Sequence, residues 1–563
     1  MFARALRRTV VASTVLFAGS AAGSLYLSPE KDLFFLAKAT SRSLRTVTTG
    51  VAVVADYQWS LRSSVTEGMP RDDYVALKSD IHLRCAKRML CAIQKNGGVY
   101  VKLGQHVSAL EYLLPAEYVE TMRVLQDQCP PSSLEDINKL FETDLGVPMK
   151  YVFASFDEEP IGVASIAQVH RARLQDGRDV AIKIQHPGIR TFSMLDIELT
   201  AGFVKMVKQL FPDFEFGWLA DEMRNNLPCE LDFNYEAKNA EIVESHFRGS
   251  DRLVTVPKVY WVKPRLMCME CALTTAIAAL SSMFSGLIVV SCLLVVEGKR
   301  IDDLDYLREH HIDPSQVAVE LNRIFSEMIF YHGFCAFIWL RTHRPHPVHS
   351  FPSPGLVHSD PHPGNLMIQP QPVKTPVLPL FRLFRHPRNF KIILLDHGLY
   401  RTLDKQFRHD YAWLWESLIR GDEDRIRYWS KQVAEVDMYE LFACMITGRN
   451  WDTITSGGVK SDRRMSELDN VTSSAAFYFK EISSVLAQVP RPLLLVFKTN
   501  DLLRSVARSL KLSEWASVSV MSMYVLETCA LSGEVEGVSE WARFVLERVL
   551  ARVAVWLYEH NWL

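Results

Sequence analysis

The chain has 563 residues, 48 % hydrophobic and 23 % charged, which is the composition of a globular protein with sizeable cores and excludes a disordered chain. Its 63 Lys and Arg against 65 Asp and Glu give a formal net charge of −2, without the basic excess of a dedicated nucleic-acid binder. Ten cysteines spread from Cys85 to Cys529 make no disulfide framework, and the lone C-x-x-C of Cys268 and Cys271 lacks the second ligand pair of a structural zinc, so both read as buried thiols.

At the N-terminus Arg4, Arg7 and Arg8 precede the apolar run Val10–Leu27, and no acidic residue occurs before Glu30. Arg-rich, Ser-containing and acid-free is the composition of a mitochondrial presequence. The run is also long enough to span a bilayer, so 1–30 is expected to target the mitochondrion and to be cleaved or kept as an inner-membrane anchor. Residues 31–150 are predicted to form a helical extension. Apolar positions recur at three- and four-residue spacing through Tyr74–Gln94 and Pro115–Leu125, and Pro131-Ser132-Ser133 with Glu135 marks a helix start.

From Tyr151 the texture changes to a small sheet-bearing lobe, 151–270. Val163–Leu174 and Asp179–Gln185 are β-prone, split by the hairpin signal Asp176-Gly177. Helical patterns follow over Arg190–Phe247. Ala272–Val296 carries no charge and is long enough for a membrane helix; 271–296 is treated as an apolar insertion. The larger lobe, 297–530, is mostly helical, with a His- and Pro-rich stretch (His343, His346, His349) before its central loop. A terminal helix occupies 531–563. Its Trp541–Leu563 part is apolar and Arg-containing, as in interfacial helices, although packing on the domain is the first expectation.

Three segments carry chemistry. Val180-Ala181-Ile182-Lys183 ends a β-branched strand on a lysine, placed to meet nucleotide phosphates. His358-Ser359-Asp360-Pro361-His362-Pro363-Gly364-Asn365 puts Asn365 five residues after Asp360, the spacing of a kinase catalytic loop in which the Asp accepts a proton and the Asn holds metal. Ile392–Leu395 then delivers Asp396-His397-Gly398, which matches D-F-G with His for Phe. Asn365 and Asp396 supply the one or two hard oxygen ligands that Mg²⁺ takes from a protein, the rest coming from phosphate and water. The order and element types point to an α+β, protein-kinase-like two-lobed fold binding ATP or ADP with Mg²⁺.

Asp360-Pro361-His362-Pro363-Gly364-Asn365 resembles the D-P-H-P-G-N loop of the UbiB, or aarF-domain-containing, atypical kinase family. Lys102-Leu103-Gly104-Gln105 resembles its K-x-G-Q motif, Pro160–His170 its alanine-rich loop, and Glu230-Leu231-Asp232 its E-x-D motif. The resemblance covers about residues 75–530, and the sequence is closer to a mitochondrial member than to the ubiquinone-linked members. It implies that Gly162, Val163, Ala164, Ser165 and Lys183 contact nucleotide. It further implies that Lys102, Gly104 and Gln105 fold over the site, with Lys102 reaching Glu230 or Asp232. Counting alone pairs Lys183 with Glu198; the resemblance pairs it with Glu236, which is taken to share one helix with Glu230 and Asp232.

Function is therefore expected to be that of an atypical Mg-ATP-dependent kinase or ATPase in mitochondrial lipid or isoprenoid homeostasis. Its partners would be nucleotide, a membrane lipid or isoprenoid, and the inner membrane, with no nucleic acid. A non-catalytic nucleotide-gated scaffold and an ordinary Ser/Thr protein kinase are the rival readings. Three segments depart from the family pattern: Ala272–Val296, Cys335–Leu356 and a lengthened turn between Asn365 and Asp396. Glu297–Arg300 is expected to continue the strand Leu266–Glu270.

Overall fold

The computed structural model describes residues 33–108, 114–126, 131–210, 217–248, 252–271, 298–331, 355–359, 361–372, 388–456, 459, 485, 489–532, 535 and 537–559. Val10–Leu27, Ala272–Val296, the His343/His346/His349 cluster and Asp360 lie outside the described residues. Among the described residues no helix is long and apolar enough to cross a membrane. The structure divides into two compact units. One lies within Met1–Asn234, Tyr260–Met269 and Ala475–Ala487; the other within Tyr235–Val259, Glu270–Ser474 and Gln488–Leu563.

The first unit opens with helices α1 (Leu33–Ser60), α2 (Arg71–Asn96), α3 (Val99–Ser108), α4 (Ala116–Met122) and α5 (Leu134–Leu145). Helix α5 starts where predicted: the Ser133 side chain accepts a hydrogen bond from the Asp136 N–H, and Glu135 and Asp136 sit in the first turn, where the helix dipole favours acids. A sheet follows, of strands β1 (Phe153–Phe156), β2 (Gly162–Val163), β3 (Ala167–Leu174), β4 (Asp179–Gln185), β6 (Val259–Lys263) and β7 (Leu266–Glu270), in the order β1-β3-β4-β7-β6 with β2 on β3. Gly177 turns the β3–β4 hairpin at φ +87°, a conformation costly for residues with a Cβ. Alternation along β4 sends Val180, Ile182 and Ile184 into a core with Ile137 and Phe141 of α5. Lys183 is thereby turned to the opposite face.

Helices α6 (Ile189–Leu210) and α7 (Gly217–Glu230) complete this unit, and α8 (Phe233–Phe247) begins at its end. Glu230, Asp232 and Glu236 do not share one helix. Glu230 ends α7, and Asp232 caps α8 by accepting the Asn234 N–H at 3.1 Å; Glu236 lies in the first turn of α8. An Asp followed by helix-forming residues stops one helix and starts the next, because its carboxylate meets a free N–H.

In the second unit β5 (Val254–Thr255), β8 (Lys299–Arg300), β10 (Leu366–Pro370) and β11 (Phe390–Leu394) form a sheet in the order β5-β11-β10-β8, and β9 (Gly355–His358) pairs with β12 (Tyr400–Leu403). Lys299 and Arg300 therefore do not continue β7; they pair with Ile368 and Met367 of β10. The longer helices are α9 (Pro314–Ser326), α10 (Lys405–Arg420), α11 (Glu423–Ala434), α12 (Arg491–Ser509), α13 (Glu514–Leu531) and α14 (Gly537–Glu559). Cys268 and Cys271 are free buried thiols, and burial pushes the Cys268 thiol up to about 12.

Candidate functional site

In the first unit Lys183 is only 7 % exposed, and its Nζ lies 5.3 Å from the centre of the buried Phe233 ring. A cation held against an aromatic face keeps a favourable partner at low solvent access. The rival glutamate, Glu198, is exposed and forms an ion pair with Arg224 at 2.9 Å, whereas Glu236 is buried at 2 % exposure.

The loop between β2 and β3 is closed on itself. The Ile161 and Ala164 N–H groups donate to the Val169 and Ala167 carbonyls at 2.8 Å each. In a glycine-rich loop such N–H groups are free to cradle phosphate; here these two are committed within the hairpin. His186 braces the same loop. Its N–H donates to the Ile166 carbonyl, its ring Nε2 donates to the Ala164 carbonyl at 2.9 Å, and Nδ1 accepts from the Ser132 hydroxyl at 2.7 Å. Burial lowers the pKa of His186, which favours this neutral form.

The Lys102–Gln105 segment lies on α3, and each polar residue in it has a use. Lys102 Nζ is 3.0 Å from Glu230 Oε2, both side chains being largely buried. Gln105 donates its amide to the Leu125 carbonyl at 3.0 Å. Gly104 lies under Leu125, so close that a Cβ there would stand 2.2 Å from Leu125 Cδ1. Gly104→Ala is therefore expected to destabilise the chain by about 1–3 kcal/mol through overpacking. Urea unfolding checks this, and an unchanged midpoint would refute the packing role.

In the second unit the antiparallel register Leu366↔Leu394 fixes two functional candidates together. The Leu395 N–H donates to the Asn365 carbonyl at 3.1 Å, so the residues flanking Asn365 and Asp396 are on bonded neighbouring backbones. Asn365 closes a 3₁₀ turn, Pro363–Asn365, in which His362 Nδ1 accepts the Gly364 N–H. Asp396 is half-buried, and its Oδ1 accepts the Gly398 N–H at 2.9 Å. Close by in the sheet, His358 registers with Tyr400, and the Ser359 N–H donates to the Leu399 carbonyl at 3.0 Å.

Beneath Asp396 lies a buried polar layer. His397 donates Nε2–H to the Leu394 carbonyl at 3.1 Å, and its Nδ1 accepts from the Tyr400 hydroxyl at 2.9 Å. Asn239 of α8 donates to the His397 carbonyl at 3.0 Å. Burial first, then the charges of Asp396 and Glu236, push the Tyr400 phenol well above its ordinary pKa, so it remains a donor. A Cβ at Gly398 would lie 3.9 Å from Glu236 Oε2. The second unit thus brings Asn365, Asp396 and Glu236 to one region. Hard oxygen donors on adjacent strand ends, without a protein cage, are what Mg²⁺ with nucleotide phosphates requires, so the residues fit that group.

Sequence reasoning did not single out His186, Asn239 or Tyr400. None belongs to a short motif, since each acts through a hydrogen bond fixed by the fold.

The ABC1 atypical kinase-like domain family matches residues 124–286 and 349–430. AarF domain-containing protein kinase 1 of Mus musculus is 39 % identical over 468 residues, covering 83 % of this chain and 77 % of that protein. ABC1 family protein MCP2 homolog of Schizosaccharomyces pombe is 37 % identical, covering 84 % and 76 %. ABC1 family protein MCP2 of Saccharomyces cerevisiae is 32 % identical, covering 90 % and 80 %. Among solved structures, the Rv3197–erythromycin complex of Mycobacterium tuberculosis aligns with 74 % of this chain and 95 % of that one, at TM-score 0.37 and 19 % identity. The three relatives, each more than 30 % identical over most of both chains, show that the chain belongs to the ABC1, or AarF-domain, family of atypical kinase-like proteins.

Proposed function

We propose that the chain is an atypical Mg-ATP-dependent phosphotransferase or ATPase, directed to mitochondria by its acid-free, Arg-rich N-terminus and acting in lipid or isoprenoid homeostasis. The observation that carries the reading is the bonded juxtaposition of the Asn365 and Asp396 segments at the ends of β10 and β11. In this reading Lys183, held by the sheet, orients the α- and β-phosphates. Asn365 and Asp396 would hold Mg²⁺, which when bound neutralises charge developing on the phosphates. Asp360 takes the proton of the attacking hydroxyl, or positions a water in an ATPase mode. Tyr400 and His397 hold the Asp396 loop in place, and Gly162–Ser165 cover the nucleotide.

One observation favours a second reading, a nucleotide-gated scaffold. Lys102 and Glu230 form a largely buried ion pair, and the loop N–H groups of Ile161 and Ala164 are already bonded. Both features limit how a phosphate chain is embraced, and binding would then shift a two-state element rather than drive turnover. Equilibrium ATP binding and phosphate release, measured on the same full-length preparation with and without Mg²⁺, distinguish the readings. Mg²⁺-dependent binding with release supports the enzyme, and binding without release supports the scaffold. Absence of Mg²⁺-dependent binding refutes both.

A further inference from the structure

The turn between β2 and β3 is held from outside by a single residue. His186 follows β4 and ties the carbonyls on both sides of Ser165. Its backbone N–H donates to the Ile166 carbonyl, and its ring Nε2–H donates to the Ala164 carbonyl at 2.9 Å. Ser165 itself is 6 % exposed and, among the described residues, makes no hydrogen bond. Its hydroxyl is therefore left for a ligand, in a turn whose flanking backbone is already fixed.

Ser132 in turn fixes the His186 ring. Its hydroxyl donates to Nδ1 at 2.7 Å, which selects the tautomer with the proton on Nε2, the one able to donate to Ala164. Ser132 is not needed by the helix behind it, since Ser133 caps α5. It is held instead from β3. Its N–H donates to Gln168 Oε1 at 2.6 Å, Gln168 Nε2 donates to His170 Nε2 at 2.7 Å, and His170 Nδ1 donates to the Asp157 carbonyl at 2.8 Å. Gln168 and His170 are fully buried, and their register partners Ile184 and Ile182 belong to the core with α5, so the chain of hydrogen bonds runs along the core side of the sheet. Every bond in it has one donor and one acceptor when both imidazoles are neutral, and burial favours that form in each. Breaking any one bond leaves a polar group without its partner, which restricts the chain to one geometry.

We infer that Ser132 and His186 are positioning residues that hold the 162–166 turn in the conformation that receives nucleotide phosphate, and that they thereby set nucleotide affinity. The inference rests on the nucleotide reading above. A glycine-rich loop is ordered by its ligand, whereas this turn is ordered beforehand by the His186 brace, so less binding free energy is lost to ordering it.

The test is titration calorimetry of the full chain with ATP and Mg²⁺, paired with amide hydrogen exchange over 161–166 in the nucleotide-free protein. His186→Ala keeps the backbone bond to Ile166 and removes both ring bonds. It should raise Kd by roughly tenfold or more and speed exchange in the turn. Ser132→Ala removes one bond and should raise Kd by roughly threefold. Because the Ser132 hydroxyl reaches the turn through His186, the double variant should bind no more weakly than His186→Ala. A purely structural role would instead lower the melting temperature and leave the Kd of the folded molecules unchanged. If His186→Ala does not fold, Ser132→Ala, the milder change, decides by the same two measurements. Wild-type Kd in the folded variants, losses that multiply in the double variant, or unchanged exchange in the turn each overturn the inference and leave the nucleotide reading standing. A wild-type chain that binds no nucleotide overturns that reading and the inference with it.

Discussion

Asp396→Asn is expected to leave the fold intact and to lower Mg²⁺-dependent phosphate release by on the order of a hundredfold or more. The substitution is chosen because of what Asp396 does twice. One oxygen accepts the Gly398 N–H at 2.9 Å, and an Asn side-chain carbonyl can accept the same hydrogen bond, so the turn is kept. What is lost is the negative charge, and with it one of the two protein ligands proposed for Mg²⁺. Tyr400 is protonated with or without that charge, so its hydrogen bond to His397 is kept. Thermal unfolding should therefore be unchanged, while nucleotide turnover collapses. Undiminished phosphate release in Asp396→Asn would remove Asp396 from the metal role. A lowered melting temperature with normal turnover per folded molecule would make it a structural residue only.

The elements of this chain were legible where local chemistry decides them. Ser133 with Glu135 set a helix start, β-branched alternation set Asp179–Gln185, and Asp176-Gly177 set its hairpin. The candidate site was legible as spaced motifs, because a strand end, a loop and a second strand end each leave a sequence signature. What was not legible depends on partners distant in the chain. The break between Glu230 and Glu236 is decided by Asp232 finding the Asn234 N–H, against a helical pattern that runs straight through. Lys299 and Arg300 look like an extension of β7, yet β10 offers them a free edge some 70 residues later in the sequence. Tyr400 and His358 meet only because β9 and β12 pair. Family resemblance directed Lys102 to Glu230 or Asp232, but only the structure shows why Gly104 must lack a side chain.

Glu320 is the other position where one atom's charge is expected to matter greatly. It is fully buried on α9, ion-paired with Arg388, and its other neighbours are Arg323 at 3.6 Å and Arg252 at 3.9 Å. One oxygen also accepts the Leu253 N–H at 3.2 Å, and the Leu253 carbonyl accepts the Ile392 N–H at 2.7 Å. Glu320 therefore braces the approach to β5 and, through Arg388, the start of β11, the strand whose far end delivers Asp396. Glu559, at the end of α14, shares Arg323 and Arg388 with it, which joins that helix to the same network. Glu320→Gln leaves three buried arginines short of one carboxylate and is expected to cost about 3–5 kcal/mol. Burial alone would raise the Glu320 pKa, but Arg388, Arg252 and Arg323 outweigh it and hold the carboxyl below its ordinary value. A carboxyl depressed in the folded state stabilises fully above its unfolded pKa, about 4.3 for Glu. That stabilisation is lost as pH falls through the folded value. The gap in urea midpoint between wild type and Glu320→Gln should accordingly be widest near neutrality and narrow below about pH 4. Glu320→Met with Arg388→Met should be less destabilised than the two single changes added together, since neither charge is then left buried alone. A small gap that does not vary with pH, or strict additivity in the double variant, would show that the network contributes no net stability to the strand that positions Asp396.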